Sequence, residues 1–346
     1  MPSAIDDAFL REHAPSFADF WNRRRGDSRF ELRFPAFGYE VVLGANDPAL
    51  RDAARLSAAR YARAVPLDGS PVIELELLVV PAWGASPVPS DLPARIQTVA
   101  VNDYLFQAAT PWLQWFTALN ARRAWGMLAP ALARDARLVS RYLIDRAVLN
   151  ILLREGVGQL HATSLVRDDH AVIFIAPHGT GKSTTAFHLL RCGYRLLGDG
   201  LLFMRERGGL ELMGYPAGEA KLTPAMQPLF PEWRGAGDEV TVHNVIKTVV
   251  DLRELAPGKV VVESVSPQRV ILCLAERNGE RTTRAQRLSP DAALERILPD
   301  TVYWDEPRPM LRSLNVLRRL IESAAAYRLT LGTDPQQLVE TILGLV

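Results

Sequence analysis

One stretch restricts what this chain can fold into more than any other: residues 172–184, VIFIAPHGTGKST. The apolar, β-branched run from Val172 reads as a strand, and the residues after Ser183 repeat with helical spacing to about Arg191. Between them lies Ala176-Pro177-His178-Gly179-Thr180-Gly181-Lys182-Ser183, the phosphate-binding loop pattern with Ala in the first glycine position. The residue types follow from the chemistry. Gly179 and Gly181 permit the backbone turn that converges several N–H groups on an anion. The helix beginning near Lys182 turns the positive end of its dipole toward the same point. Lys182 reaches for the β- and γ-phosphates of a nucleotide, and the Ser183 hydroxyl suits Mg2+. Pro177, His178, Gly179, Thr180, Gly181, Lys182, Ser183 and Thr184 are therefore the candidate nucleotide contacts.

Lysine usage sharpens this reading. Four of the 40 basic residues are lysines: Lys182, Lys221, Lys247 and Lys259. Arg and Lys differ in shape and hydration, so a lysine at the loop position of an arginine-biased chain is informative. Lys221, in GYPAGEAK, reads as a loop residue able to counter phosphate charge, with Glu219 nearby as a solvated charge or a site carboxylate. Asp199 closes a short strand 17 residues beyond Lys182 and is the candidate metal carboxylate, although Asp-Gly is also a turn signal. His161, on the preceding strand, is either a satisfied core residue or a proton handler beside Asp199. His178 is expected to offer mainly its backbone N–H, and His188 to be structural.

The 346 residues suit roughly two domains. A composition of 48% apolar and 23% charged residues is that of a globular chain and excludes a fibre or a disordered polymer. A net charge of +1 gives no bulk electrostatic case for nucleic acid or an anionic membrane, so neither is expected as a partner. Two cysteines, Cys192 and Cys273, exclude a disulfide scaffold and read as small buried residues. The start, MPSAIDDAFL, lacks a basic n-region and an apolar h-region, and no stretch is long enough to span a bilayer; the expected location is the cytoplasm.

Two domains are expected, an N-terminal α+β domain over 1–129 and a second over 130–346. In the first, a loose helical spacing covers 4–24, strands cover 29–34, 38–43 and 72–80, and a helix runs from Asn46-Asp47-Pro48 to about Arg63. The proline-rich 81–94 reads as a loop. Trp112, Trp115, Phe116 and Trp125 read as buried packing, with a binding platform as the other reading. A helix over 131–155 opens the second domain, its arginines Arg134, Arg137, Arg141 and Arg154 on a solvated face and Gly156 as its terminator. Strands are expected at 158–166, 171–176, 194–197, 201–206, 245–252, 268–275 and 326–331, and helices at 289–297, 308–323 and 334–345.

The segment from Leu160 to Asp199, LHATSLV followed by VIFIAPHGTGKSTTAFHLLRCGYRLLGDG, resembles the core of the HPr kinase/phosphorylase family and its relatives. His161 matches the family's His on the strand before the loop, Gly179 through Ser183 its Gly-x-Gly-Lys-Ser, Gly193 the Gly before its next strand, and Asp199 the first of two adjacent carboxylates. Gly200 stands where the family has its second Asp, and the acidic, Gly-rich segment of true HPr kinases has no counterpart. The arrangement is closer to HPr-kinase-like proteins of peptide modification, including those acting on lasso-peptide precursors.

The resemblance implies an α+β / α/β fold with a phosphoenolpyruvate-carboxykinase-like P-loop core. It implies ATP and Mg2+ as cofactors and a Ser/Thr hydroxyl of a peptide or protein as acceptor, with an N-terminal domain that selects it. Asp199, His161 and Lys182 become the catalytic candidates, and Ser183 and Asp199 the metal holders. Relatives often form homo-oligomers, so self-association is one arrangement it allows. Two other functions stay open: a nucleotide-binding regulator without transfer activity, and a kinase for a small-molecule hydroxyl.

Overall fold

The computed structural model describes residues 30–346 apart from 67, 68, 70, 85, 102, 234, 243, 244, 278 and 302–306. The helix expected over 4–24 lies outside the described residues. The fold is mixed α+β and divides into two compact units, residues 1–59 with 65–155, and residues 60–64 with 156–346.

In the first unit, β1 (Phe30–Ala36), β2 (Tyr39–Ala45), β3 (Val72–Val79), β4 (Gln97–Val101), β5 (Tyr104–Ala109), β6 (Leu113–Ala118) and β7 (Arg123–Leu128) form one sheet in the order β1-β2-β3-β7-β6-β5-β4. Phe37 and Gly38, both at positive φ, make the tight turn between β1 and β2. Pro35 is tolerated because β1 is an edge strand. Trp115, Phe116 and Trp125 are buried in this sheet, which favours packing over an exposed platform; Trp112 is only partly buried. The helix α1 spans Leu50–Ala58, five residues short of the expected end at Arg63.

The expected helix over 131–155 is interrupted. Helical turns at Pro130–Ala133 and Ala136–Val139 precede a π-helical turn, Ser140–Ile144, and then Asp145–Arg154; we name the run 136–154 α2. It belongs to the first unit, so the division falls at Gly156 rather than at residue 130. The physical reason is where its apolar face goes: Val139, Leu143, Ala147 and Ile151 are buried, and Ser140 meets Ser57 of α1 at 3.0 Å. Arg154, expected on the solvated face, is buried and donates to Asn120 Oδ1 at 3.0 Å and to Asp103. Gly156 ends the run at φ 96°.

The second unit holds β8 (Gly158–Arg167), β9 (His170–Ile175), β10 (Arg195–Glu206), β11 (Leu210–Tyr215), β15 (Arg269–Arg277), β16 (Arg284–Arg287) and β17 (Ala324–Leu331), in the order β11-β10-β8-β9-β15-β17-β16. β12 (Glu219–Leu222), β13 (Asp238–Val242) and β14 (Val245–Asp251) form a second, antiparallel sheet. The helices of eight or more residues among the described ones are α3 (Lys182–Arg191), α4 (Pro290–Ile297), α5 (Pro307–Ser323) and α6 (Pro335–Leu343). β9 reads as a continuous apolar run because both of its faces are covered. Val172 and Phe174 pack with α3, α6 and the small sheet, whereas Ile173 and Ile175 pack with α4 and α5. β9, β15 and β17 run parallel, and the Gly-rich loop leaves the carboxyl end of β9. No helix among the described residues is long and apolar enough to cross a membrane.

Candidate functional site

The loop begins where β9 ends at Ile175 and closes at Gly181, the residue before α3. Gly179 at φ 79° and Gly181 at φ 118° lie in the left-handed region that glycine enters without strain. Space is open around Gly179, where an added Cβ would meet nothing within 4 Å. Thr180 ties the loop to itself, donating its hydroxyl to Pro177 O at 2.9 Å. The Lys182 side chain is buried and folds back on the loop: Nζ donates to Ala176 O at 2.5 Å and to Pro177 O at 3.3 Å. Pro177, His178 and Gly179 are exposed, so the loop's mouth is accessible.

Asp199 arrives from β10 through a bulge. Leu196 pairs with Leu165 of β8, yet Gly198 pairs with Ser164 and Asp199 with Thr163, so Leu197 is an extra residue on β10. Since side chains alternate along a strand, one inserted residue moves Asp199 onto the face that carries α3. Two glycines permit the kink: a Cβ on Gly198 would meet Gly214 Cα of β11 at 2.8 Å, and one on Gly214 would overlap the Leu197 carbonyl. What the sequence suggests as two strands, 194–197 and 201–206, is one strand bent at this bulge.

The buried Asp199 carboxylate gathers three donors. Ser183 Oγ and Thr163 Oγ1 each donate to Oδ1 at 2.8 Å, and the Lys221 amide donates to Oδ2 at 3.0 Å. Ser183 and Asp199, expected from the sequence to share a metal, are therefore in direct contact. Thr163 was not among the candidates; its signal is the period of two, which puts it on the His161 face of β8. His161 pairs with Leu201 across the ladder, and its ring lies 5.8 Å from that of His178, edge to face. The exposed His178 ring therefore lies beside that of His161.

Lys221 lies on β12 and not in a loop. Its Nζ donates to Asp199 O at 3.4 Å and stands 3.4 Å from where a Cβ on Gly200 would be. Gly200 is at φ 156°, and its lack of a side chain leaves that space to the ammonium. Glu219, read from sequence as a solvated charge or a substitute carboxylate, is neither available nor solvated: it is buried and accepts from Arg60 Nε at 2.9 Å. His188 packs on Phe230 at 4.9 Å, with burial, then the nearby Arg191 charge, lowering its pKa, in keeping with a structural role. Cys273 is buried, its thiol pushed up to about 12 by burial, whereas Cys192 is exposed against expectation at the end of α3.

Hard oxygen donors from Ser183 and Asp199, with no cluster of three His, Cys, Asp or Glu among the described residues, fit a Mg2+ that takes its remaining ligands from phosphate and water. Lys221 meets Asp199 through its amide and Nζ while Lys182 Nζ lies on the loop carbonyls, so two ammonium groups bracket the site, and among the described residues no arginine pairs with Asp199; that balance suits a polyanion.

No family model matches the sequence, and no curated protein matches it. Among solved structures the chain is similar to the Hpr(Ser) kinase/phosphatase from Coxiella burnetii at 13% identity, over 54% of this chain and 93% of that one, with a TM-score of 0.27. At that level of likeness the site has to be read from its own geometry.

Proposed function

We propose that the second unit is an ATP-dependent, Mg2+-dependent phosphotransferase with a P-loop core of the phosphoenolpyruvate-carboxykinase-like kind, moving a γ-phosphoryl group to a Ser/Thr hydroxyl of a peptide or protein. The observation that carries the reading is the Ser183 Oγ–Asp199 Oδ1 contact of 2.8 Å directly behind the Gly-rich loop. Bound ATP supplies the phosphoryl group, and Mg2+ offsets its charge. The chain does the positioning. Loop amides and the start of α3 cradle phosphate oxygens, and Lys182 swings from its own loop carbonyls to the transferred group. Ser183 and Asp199 hold the metal. With the three donors already on Asp199, the imidazole of His161 is the group assigned to accept the acceptor's proton. The first unit contains none of these residues and is assigned acceptor selection. A peptide natural-product precursor is the narrower acceptor class that the sequence resemblance supplies.

A second reading has a specific observation behind it. Gly200 offers no carboxylate, and Lys221 occupies the neighbouring space, an arrangement suited to a nucleotide-binding regulator. Incubation with γ-labelled ATP, Mg2+ and a Ser/Thr peptide library separates the two. The kinase reading expects label on peptide with the wild-type chain and none with Lys182→Ala, whose circular dichroism stays native. Saturable ATP binding without transfer supports the regulator. Undiminished transfer by Lys182→Ala overturns both assignments of the loop.

A further inference from the structure

At the carboxyl end of β15 stands a guanidinium that the loop motif does not include. β15 runs parallel to β9 with Leu274 opposite Ile175, the last pair of the register, so Arg277 lies three residues further on, at the end of the sheet from which the loop leaves. A Cβ built on Gly181 would lie 2.9 Å from Arg277 Nη2, so the guanidinium rests against the bare Cα of the residue before Lys182. Gly181 thus serves two ends, its left-handed turn and the room it leaves for this side chain.

Arg277 is exposed and makes no ion pair or hydrogen bond with a described residue. The carboxylates nearest in sequence are engaged elsewhere. Glu276, on the other face of β15, accepts from Arg328 Nε at 2.6 Å and lies 3.9 Å from Arg296, and Glu280 lies 3.4 Å from Arg284. An unpaired surface arginine is ordinary by itself. Its seat is what matters, because ligands of such sheets bind beyond the carboxyl ends of the parallel strands. Arginine there brings a planar fork of donors matched to phosphate, where Lys182 brings a point charge.

We propose that Arg277 is a polyphosphate-binding residue of this site, laying its guanidinium on the terminal phosphate groups of a nucleoside di- or triphosphate opposite Lys182; this rests on the nucleotide reading of the loop. A nucleoside monophosphate, which lacks those groups, does not engage it.

The test is equilibrium titration of the full chain with ATP, ADP and AMP in Mg2+, for wild type, Arg277→Ala, Arg277→Lys, Lys182→Ala and Arg269→Ala. Arg269 sits at the opposite end of β15 and controls for a general loss of positive charge. Arg277→Ala is expected to weaken ATP and ADP by at least about tenfold, as for loss of a charge-assisted pair, with AMP unchanged. Arg277→Lys is expected to fall between, because charge returns without the fork, and it serves as the measured variant if the alanine form melts early. Arg269→Ala should bind as wild type does. Wild-type ATP affinity in Arg277→Ala, while Lys182→Ala has lost it, overturns the role of Arg277 and leaves the loop reading intact. Equal weakening by Arg269→Ala overturns it as well. A wild-type chain that binds no nucleotide overturns the loop reading and this one together.

Discussion

Gly200 is the residue that most alters the chemistry open to this site. Its φ of 156° lies in backbone territory that a side chain enters only under strain, and Lys221 Nζ stands beside it. Any side chain placed there, a carboxylate included, meets that conformational strain. The Cβ position itself is in ordinary contact distance of Nζ, so the penalty is conformational. Gly200→Ala should lower unfolding stability by about 1–2 kcal/mol in urea titration. A change of under about 0.3 kcal/mol would show that the backbone is not held as described. Asp199 is the complementary case: it is buried with two hydroxyls and an amide on one carboxylate, and its place follows from one inserted residue, Leu197.

At the scale of elements, the hairpin of β10 and β11 is braced beyond the bulge by a buried pair, Arg205 Nε to Glu211 Oε2 at 2.5 Å. Burial pushes the Glu211 carboxyl up, but hydrogen bonds from Arg205 and Ser264 and the Arg205 charge outweigh it and hold the group below its ordinary range. A carboxyl depressed in the folded state stabilises fully above its unfolded pKa, and that contribution fades as pH falls through the folded value. Glu211→Gln should therefore flatten the acid limb of stability against pH, besides destabilising the chain by about 3 kcal/mol near neutrality. An acid limb identical to wild type would contradict this. Elements also mark where sequence reading succeeds. The strand, loop and α3 were legible because apolar period, glycine spacing and lysine lie within twenty residues of one another. β12 was not, since Glu219–Leu222 becomes a strand only by pairing with β14, with Glu219 opposite Asp251. Arg277 carries no local signal for the same reason: parallel pairing of segments about a hundred residues apart brings it to the end of the sheet where the loop leaves. The burial of Arg154 likewise depends on a partner far along the chain, Asp103.

At the scale of the molecule, the five residues 60–64 belong to the second unit although the chain on both sides of them belongs to the first. Ala217 N donates to Arg60 O at 2.7 Å, Arg63 N to Val262 O at 2.7 Å, and Ser264 N to Arg63 O at 2.8 Å. Arg60 also neutralises the buried Glu219, two residues from Lys221. A boundary drawn from composition at residue 130 misses this strap, because nothing in Arg60–Ala64 marks it locally. Removing one partner of a buried pair leaves the other charge stranded, so Arg60→Ala should destabilise the second unit by about 3 kcal/mol in chemical denaturation. A loss below about 1 kcal/mol would contradict the burial of that pair.

The central claim is that residues 176–184 and Asp199 form one magnesium–polyphosphate site. Calorimetric titration of Mg2+-ATP into the wild-type chain and into Lys182→Ala addresses it most directly. The account predicts saturable one-to-one binding by the wild type and a loss of at least about tenfold in affinity for the variant. Absence of saturable binding by the wild type, or equal affinity in the two proteins, would contradict it.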